Sequence, residues 1–129
     1  MSAIETTQIV ERKRQSFEEI RDLAIAKCDQ CFLAEAATQL KLAIIAGKAD
    51  DNVTSRALAG MTFLSAVVSE ALRRSTHAAR QLLSLEKLQG WGKEVDHLRS
   101  LAQDKLKGDP CHTFSHLLLG AIYRQKSRW

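Results

Sequence analysis

The sequence is poor in proline, glycine and aromatic residues. It contains a single proline, Pro110, together with six glycines and 5% aromatic residues. Proline and glycine interrupt helices, whereas the residues that dominate here, Ala, Leu, Glu, Lys, Arg and Gln, are the strongest helix formers. In addition, no stretch alternates apolar and polar residues as a half-buried strand does. We therefore expect an all-α protein.

Targeting and membrane signals are also lacking. The N-terminal segment MSAIETTQIV has neither a basic region nor an apolar core of the kind found in signal peptides. The uncharged run at 57–69 holds thirteen residues, which is too short for a helix that crosses a bilayer. The three cysteines are an odd number, which favours reduced thiols and a cytoplasmic location over a disulfide framework.

The length of 129 residues and the hydrophobic content of 45% suit one globular domain, 1–129. Within it, residues 1–15 are either a separate helical arm or a continuation of the first helix. The net charge of +4 is unevenly spread, since residues 1–64 carry −1 and residues 65–129 carry +5. Such a balance permits an anionic partner without requiring one.

Local signals mark the first helices. Ser16 followed by Glu19 fits a capping box, and apolar residues then recur at steps of three and four through 17–46, as one helix or as two with a kink near 29–32. Gly47 is predicted to end this region in a left-handed cap, with Asp50, Asp51 or Asn52 capping the next helix. That helix, about 53–74, is apolar nearly all round and is predicted to be the centre of the fold.

Further caps and glycines divide the rest of the chain. Ser75 or Thr76 is predicted to cap a further helix that runs to Gly90, and another helix follows to Gly108. Asp109 is then predicted to cap a final helix with Pro110 at its first position. The chain is thus expected to form five to seven helices. Short connections make neighbouring helices antiparallel, so the hairpins should stack as a short α-solenoid or a bundle.

The closing stretch, 109–129, resembles the boundary and first helix of a tetratricopeptide repeat. The matching residues are Pro110, the pair Leu119 and Gly120, and the aromatic Tyr123, and Gly60 with Phe63 echoes the pattern upstream. The resemblance implies a helical hairpin array in which the glycine admits a closely packed neighbouring helix. It also implies a groove between hairpins that binds a peptide or helix.

Cysteine and histidine pairs raise the question of a metal site. Cys28 and Cys31, three residues apart, and His112 and His116, four apart, could each face one way on a helix and together bind zinc. However, the two pairs are eighty residues apart, and both cysteines fall on the apolar stripe of the first helix. We therefore expect core cysteines, with the zinc site as the alternative.

No motif for catalysis is present, because the sequence has no phosphate-binding glycine loop, HExxH or nucleophile elbow. We expect a non-enzymatic protein–protein interaction module without a cofactor, an adaptor, chaperone or regulator that binds another protein or peptide, with self-association as a second possibility. The residues expected to line its binding surface are Arg73, Arg80, Trp91, Tyr123 and Arg124. The sequence does not identify the partner.

The alternative is a small basic nucleic-acid-binding protein with a regulatory or packaging role, of the kind found in phages and mobile elements. Its phosphate contacts would come from Arg12, Lys13, Arg14, Arg73 and Arg74. No helix-turn-helix register supports this alternative, since 53–74 has no central turn.

Overall fold

The computed structural model describes residues 16–126, and this part of the chain consists of six helices without a strand. The expected all-α fold is therefore confirmed. The helices are α1 (Phe17–Asp29), α2 (Leu33–Lys48), α3 (Ser55–Ala71), α4 (Ser75–Glu86), α5 (Trp91–Gly108) and α6 (Thr113–Lys126). None of these helices is both long enough and apolar enough to cross a membrane.

Helix α3 is the centre of the fold, as its composition predicted. Every residue from 59 to 69 is buried. The helix packs against α2, α4, α5 and α6, while α1 packs against α2 and contacts α6. Because α1 and α6 also touch, these helices form a bundle in which α4 packs on α3.

The α1–α2 region is two helices, and the break between them is a Schellman motif. Cys31 takes the left-handed conformation, with φ of 57°. The N–H of Phe32 donates to the carbonyl of Lys27 at 3.0 Å, and that of Cys31 donates to the carbonyl of Cys28 at 2.9 Å. At the other end of α1, the Ser16 hydroxyl accepts the N–H of Glu19 at 3.2 Å, which confirms Ser16 as the cap.

The prediction that Gly47 ends the second helix is wrong. The helix continues to Lys48, and Gly47 is buried with a helical conformation. Its missing side chain leaves room for two others, because an added Cβ would lie 2.6 Å from Leu58 Cδ2 and 3.2 Å from the Phe17 ring. The next helix is capped by Thr54, whose hydroxyl accepts the N–H of Ala57 at 3.1 Å, and not by an Asp or Asn.

A second Schellman motif joins α3 to α4. Arg73 has a left-handed φ of 62°, and the N–H of Arg74 donates to the carbonyl of Ser69 at 2.7 Å. Helix α4 then begins at Ser75, so neither Ser75 nor Thr76 is its cap. The residue at the cap position is Arg74, whose side chain makes no capping hydrogen bond.

The start of the last helix also differs from the prediction. Asp109 and Pro110 form a turn that is closed by a 3.1 Å hydrogen bond from the N–H of His112 to the Asp109 carbonyl, and α6 begins only at Thr113. Pro110 suits this turn because its fixed φ matches the second position of a β-turn. His112 Nδ1 accepts the N–H of Ser115 at 3.3 Å and so takes the capping role expected of Asp109.

The close helix approach implied at Gly120 is likewise not found there. The nearest side-chain atom to an added Cβ at Gly120 would be Nη1 of Arg124, 3.8 Å away on the same helix. The close approach lies at Gly60, where an added Cβ would be 2.9 Å from Glu94 Oε1 on α5. Glu94 in turn forms a 2.8 Å ion pair with Arg56 of α3.

Candidate functional site

An apolar groove of about 240 Å³ lies between α1, α5 and α6, over the central helix. Leu64 of α3 is buried at its base. Its walls are formed by Ile25 of α1, Leu101 of α5 and Phe114 of α6, with neighbouring apolar residues on the same helical stripes. These residues come from four helices, so the groove exists only because the bundle brings them together. The lining suits aliphatic side chains.

Two of the three walls of this groove, those on α1 and α5, carry large apolar side chains that water reaches. Leu101 is 50% exposed and Ile25 is 38% exposed. Apolar side chains that remain exposed along a concave surface are typical of binding sites. Charged residues stand at the rim, with Asp29 on the α1 side and Lys105 on the α5 side. The groove therefore combines an apolar base with two charges of opposite sign.

A small polar cluster of His112, Ser115 and Asp29 adjoins the groove, which Ser115 and Asp29 line. Nδ1 of His112 lies 2.6 Å from the Ser115 hydroxyl oxygen, and Nε2 lies 3.9 Å from Oδ1 of Asp29. Because Nδ1 accepts hydrogen bonds from Ser115, the neutral ring carries its proton on Nε2, on the side that faces the carboxylate.

Serine, histidine and aspartate also occur in this order in hydrolases, but the geometry here is that of a helix cap. The same Nδ1 accepts the backbone N–H of Ser115, and the Ser115 side chain is buried. In a catalytic triad the hydroxyl has to be presented to a substrate. The cluster instead satisfies the first turn of α6 and ties it to the end of α1 through Asp29.

The residues of the zinc alternative are brought into one region but are engaged otherwise. His112 caps α6, and His116 Nε2 donates a hydrogen bond to the carbonyl oxygen of Pro110 at 2.8 Å. Cys28 is 1% exposed, and its burial, with smaller contributions from Asp29 and Cys31, raises the pKa of its thiol to about 12. Within residues 16–126, no group of three or more His, Cys, Asp and Glu side chains is placed to hold a metal ion.

Of the five residues expected to bind a partner, Trp91 and Arg124 lie near opposite ends of α3. Trp91 follows Gly90, which lies against Arg56 in the first turn of α3. Arg124 pairs with Glu70, near the last turn of α3, at 3.1 Å. These two positions on α3 are fourteen residues apart, which is about 21 Å along a helix.

The five residues expected to bind a partner also differ in how far their side chains are exposed to solvent. Trp91 is half-buried and packs against the core, whereas Tyr123 is 53% exposed. Arg73 and Arg80 are both exposed, at the α3–α4 turn and on α4. Of the residues named for nucleic-acid binding, Arg73 and Arg74 are adjacent and exposed at this turn. Arg12, Lys13 and Arg14 lie outside the described residues.

The residues that line the apolar groove were not singled out from the sequence as binding residues. Leu101 and Phe114 appear in the sequence only as members of helical stripes, which also supply the buried core. The sequence holds one local signal for the groove, an apolar stripe on α5 that is wider than the buried face of this helix. Leu98, Leu101 and Ala102 lie on the same side of α5, and of these three only Leu98 and Ala102 are buried. An exposed leucine within a stripe marks a surface that the bundle leaves uncovered.

Fold and groove together define an all-α helical bundle with an open apolar cleft. Comparisons with protein-family models, with curated proteins and with solved structures give no significant match to this chain.

Proposed function

We propose that the protein is a non-enzymatic interaction module, an adaptor or regulator, that binds an amphipathic helix of a partner protein in the apolar groove. The observation that carries this proposal is the pair of exposed apolar walls, Ile25 and Leu101, on either side of a base formed by Leu64. A helix with apolar residues at positions i, i+3 or i+4, and i+7 presents the complementary stripe.

The chemistry of the groove also constrains the partner. Each leucine-sized side chain that moves from water into such a groove contributes about 1.5–3 kcal/mol. Lys105 at the rim forms no ion pair within residues 16–126, so a carboxylate beside the apolar stripe of the partner would gain a charged contact. We therefore propose a partner helix that is leucine-rich on one face and acidic at its edge.

The proposed setting is the cytoplasm. The three cysteines, Cys28, Cys31 and Cys111, are all free thiols, and Cys111 is exposed. An exposed free thiol is compatible with a reducing compartment and is a liability in an oxidising one. The tetratricopeptide resemblance, which implies peptide binding, also supports an interaction role.

A displayed library of helix-favouring peptides tests the proposal on the full chain. We expect the selected peptides to carry leucine-type residues at helical spacing with an acidic residue beside them. Leu101→Asp should weaken binding of a selected peptide at least about tenfold, the equivalent of one lost apolar anchor. Leu83→Asp is the matched control, because Leu83 is 62% exposed on α4 and does not line the groove.

Two results would contradict the proposal. One is a selection that enriches no apolar helical pattern. The other is a selected peptide whose affinity is unchanged by Leu101→Asp and by Ile25→Asp, while circular dichroism shows that both variants remain folded. Charge reversal at Lys105 provides a further check, since Lys105→Glu should favour peptides with a basic edge.

Self-association is a second candidate, and a separate observation favours it. Five of the eight exposed large hydrophobic residues found within 16–126 belong to the α1–α2 hairpin or its turn, namely Leu23, Ile25, Phe32, Leu42 and Ile45. Sedimentation equilibrium should then show a dimer that Ile45→Lys, outside the apolar groove, converts to monomer. A monomer at all concentrations would eliminate this candidate.

A further inference from the structure

A second groove, of about 360 Å³, lies where α2, α3 and α4 meet, and it shares no lining residue with the apolar groove. Helix α2 contributes Lys41, and α3 contributes the serines Ser65 and Ser69. Arg74, at the cap position of α4, and His77, in its first turn, complete the polar lining together with Thr38. Cationic groups and hydroxyls therefore converge from three helices.

No carboxylate lines this groove. Lys41 and Arg74 form no ion pair within residues 16–126, and the stretch 71–85 holds three arginines and a histidine without an Asp or Glu. The carboxylate that immediately precedes this stretch, Glu70, is paired with Arg124 at 3.1 Å. Among the described residues, no carboxylate thus compensates the positive charge at the groove, and an anion would relieve it.

Among the described residues, no side chain caps the backbone N–H groups at the start of α4. The first N–H groups of a helix have no partner within it. The turn that carries these groups also carries Arg74 and His77, which line the groove. Backbone donors at a helix start, combined with cationic side chains, are an arrangement that binds phosphate.

A buried hydroxyl supplies an independent observation. Ser69 donates to Gln81 Oε1 at 3.2 Å, and Gln81 Nε2 donates to the hydroxyl oxygen of Ser65. If the amide is turned over, the two serines exchange roles. In either orientation one serine accepts from the amide while its own proton has no acceptor among the described residues. Both serines are more than nine-tenths buried and line the groove.

We propose that this groove binds a small phosphate monoester with a polar body. Lys41, Arg74 and the first turn of α4 hold the phosphate, and the one serine hydroxyl whose proton Gln81 does not accept donates to the polar body. A volume of about 360 Å³ exceeds what a phosphate alone requires and lies within the range of small-molecule sites. Because hydroxyl and cationic groups line the groove, a sugar suits the ligand's polar body better than an apolar ring does.

Titration of the full chain with ribose 5-phosphate tests this assignment, with inorganic phosphate, ribose and a single-stranded oligonucleotide as comparison ligands. We expect ribose 5-phosphate to bind more tightly than inorganic phosphate, and ribose not to bind. In a nuclear magnetic resonance titration of the wild-type protein, the largest amide shifts should fall on Ser75, Thr76 and His77. This readout needs no variant.

Matched variants then test which cationic side chains contact the phosphate. Lys41→Gln and Arg74→Gln should each weaken ribose 5-phosphate binding at least about tenfold, because each removes a charge-assisted hydrogen bond. Arg80→Gln removes one charge from the same helix outside the groove and should leave affinity within about twofold at physiological salt, because an exposed charge that does not line the groove is strongly screened.

Three outcomes overturn the proposal. The first is an equal loss of affinity in Arg80→Gln and Arg74→Gln, which would show attraction by net charge alone. The second is the absence of shifts in the first turn of α4 on addition of ribose 5-phosphate. The third is salt-dependent binding of the oligonucleotide without binding of ribose 5-phosphate, which would assign the cationic groups to nucleic acid.

Discussion

Substitution of Gly47 by alanine tests the packing of the first three helices most directly. An added Cβ would lie 2.6 Å from Leu58 Cδ2, so Leu58 would have to shift by about 1 Å to reach an ordinary contact distance. The same Cβ would be 3.2 Å from two carbons of the Phe17 ring, which is buried at the start of α1. Both contacts resist the added methyl group.

The expected magnitude follows from two opposing effects. Glycine to alanine in a helix interior is favourable by about 1 kcal/mol, whereas overpacking of a filled site costs about 1–3 kcal/mol. Because two side chains from different helices are displaced, we expect overpacking to dominate in Gly47→Ala. The free energy of unfolding should fall by about 1 kcal/mol, and the melting temperature by about 3–6 °C.

Gly92→Ala is the matched control. Gly92 is exposed in the first turn of α5, and nothing lies within 4 Å of an added Cβ. We therefore expect this variant to gain about 0.5–1 kcal/mol through helix propensity alone. Urea unfolding followed by circular dichroism measures both variants against wild type. A gain of similar size in both variants would refute the packing described for Gly47.

Three further predictions address the helix ends and the thiols. Arg73→Gly should stabilise the protein by about 1 kcal/mol, because glycine has no Cβ penalty at φ of 62°. Arg80→Gly, the control within α4, should destabilise the protein by about as much. If both variants change the free energy of unfolding in urea with the same sign, the left-handed cap at Arg73 is contradicted. Cys28, with its pKa raised to about 12 from 9.0, should resist alkylation by iodoacetamide at pH 8, whereas the exposed Cys111 should react. Equal alkylation rates of Cys28 and Cys111 in the folded protein, measured by mass spectrometry, would contradict the burial of Cys28. Since the folded state holds the Cys28 proton more tightly, this thiol contributes stability below pH 9 that is lost as pH rises toward 12. His112→Ala should cost about 1 kcal/mol and His112→Asn clearly less, and an equal loss in both would speak against the cap.

The helical class and the central position of α3 followed from the sequence because they rest on short-range effects. Helix propensity acts residue by residue, and an apolar stripe is visible within a few turns. The Ser16 cap belongs to the same category, since its bond to Glu19 spans three residues. Interactions of this range depend little on how the chain reverses direction.

Helix ends were predicted less well, because several neighbouring residues could each form a cap. Asp50, Asp51 and Asn52 are all good caps, yet Thr54 was used. The residue that becomes the cap depends on where the connecting loop has to end for the helices to pack. At Cys31 and Arg73 the chain even accepts a left-handed residue with a side chain, since the reversal is held by packing on both sides.

By itself, then, the sequence determined an all-α chain of five to seven helix-forming segments and the one among them that had to be covered all round. The tertiary structure alone decided the role of each glycine and the location of both grooves. Gly47 and Gly60 are spacers only because Leu58 and Glu94 arrive from other helices. The apolar groove joins Ile25 to Leu101, and the cationic groove joins Lys41 to Arg74. Contacts over such separations arise when helices pack, so no local pattern in the chain encodes them.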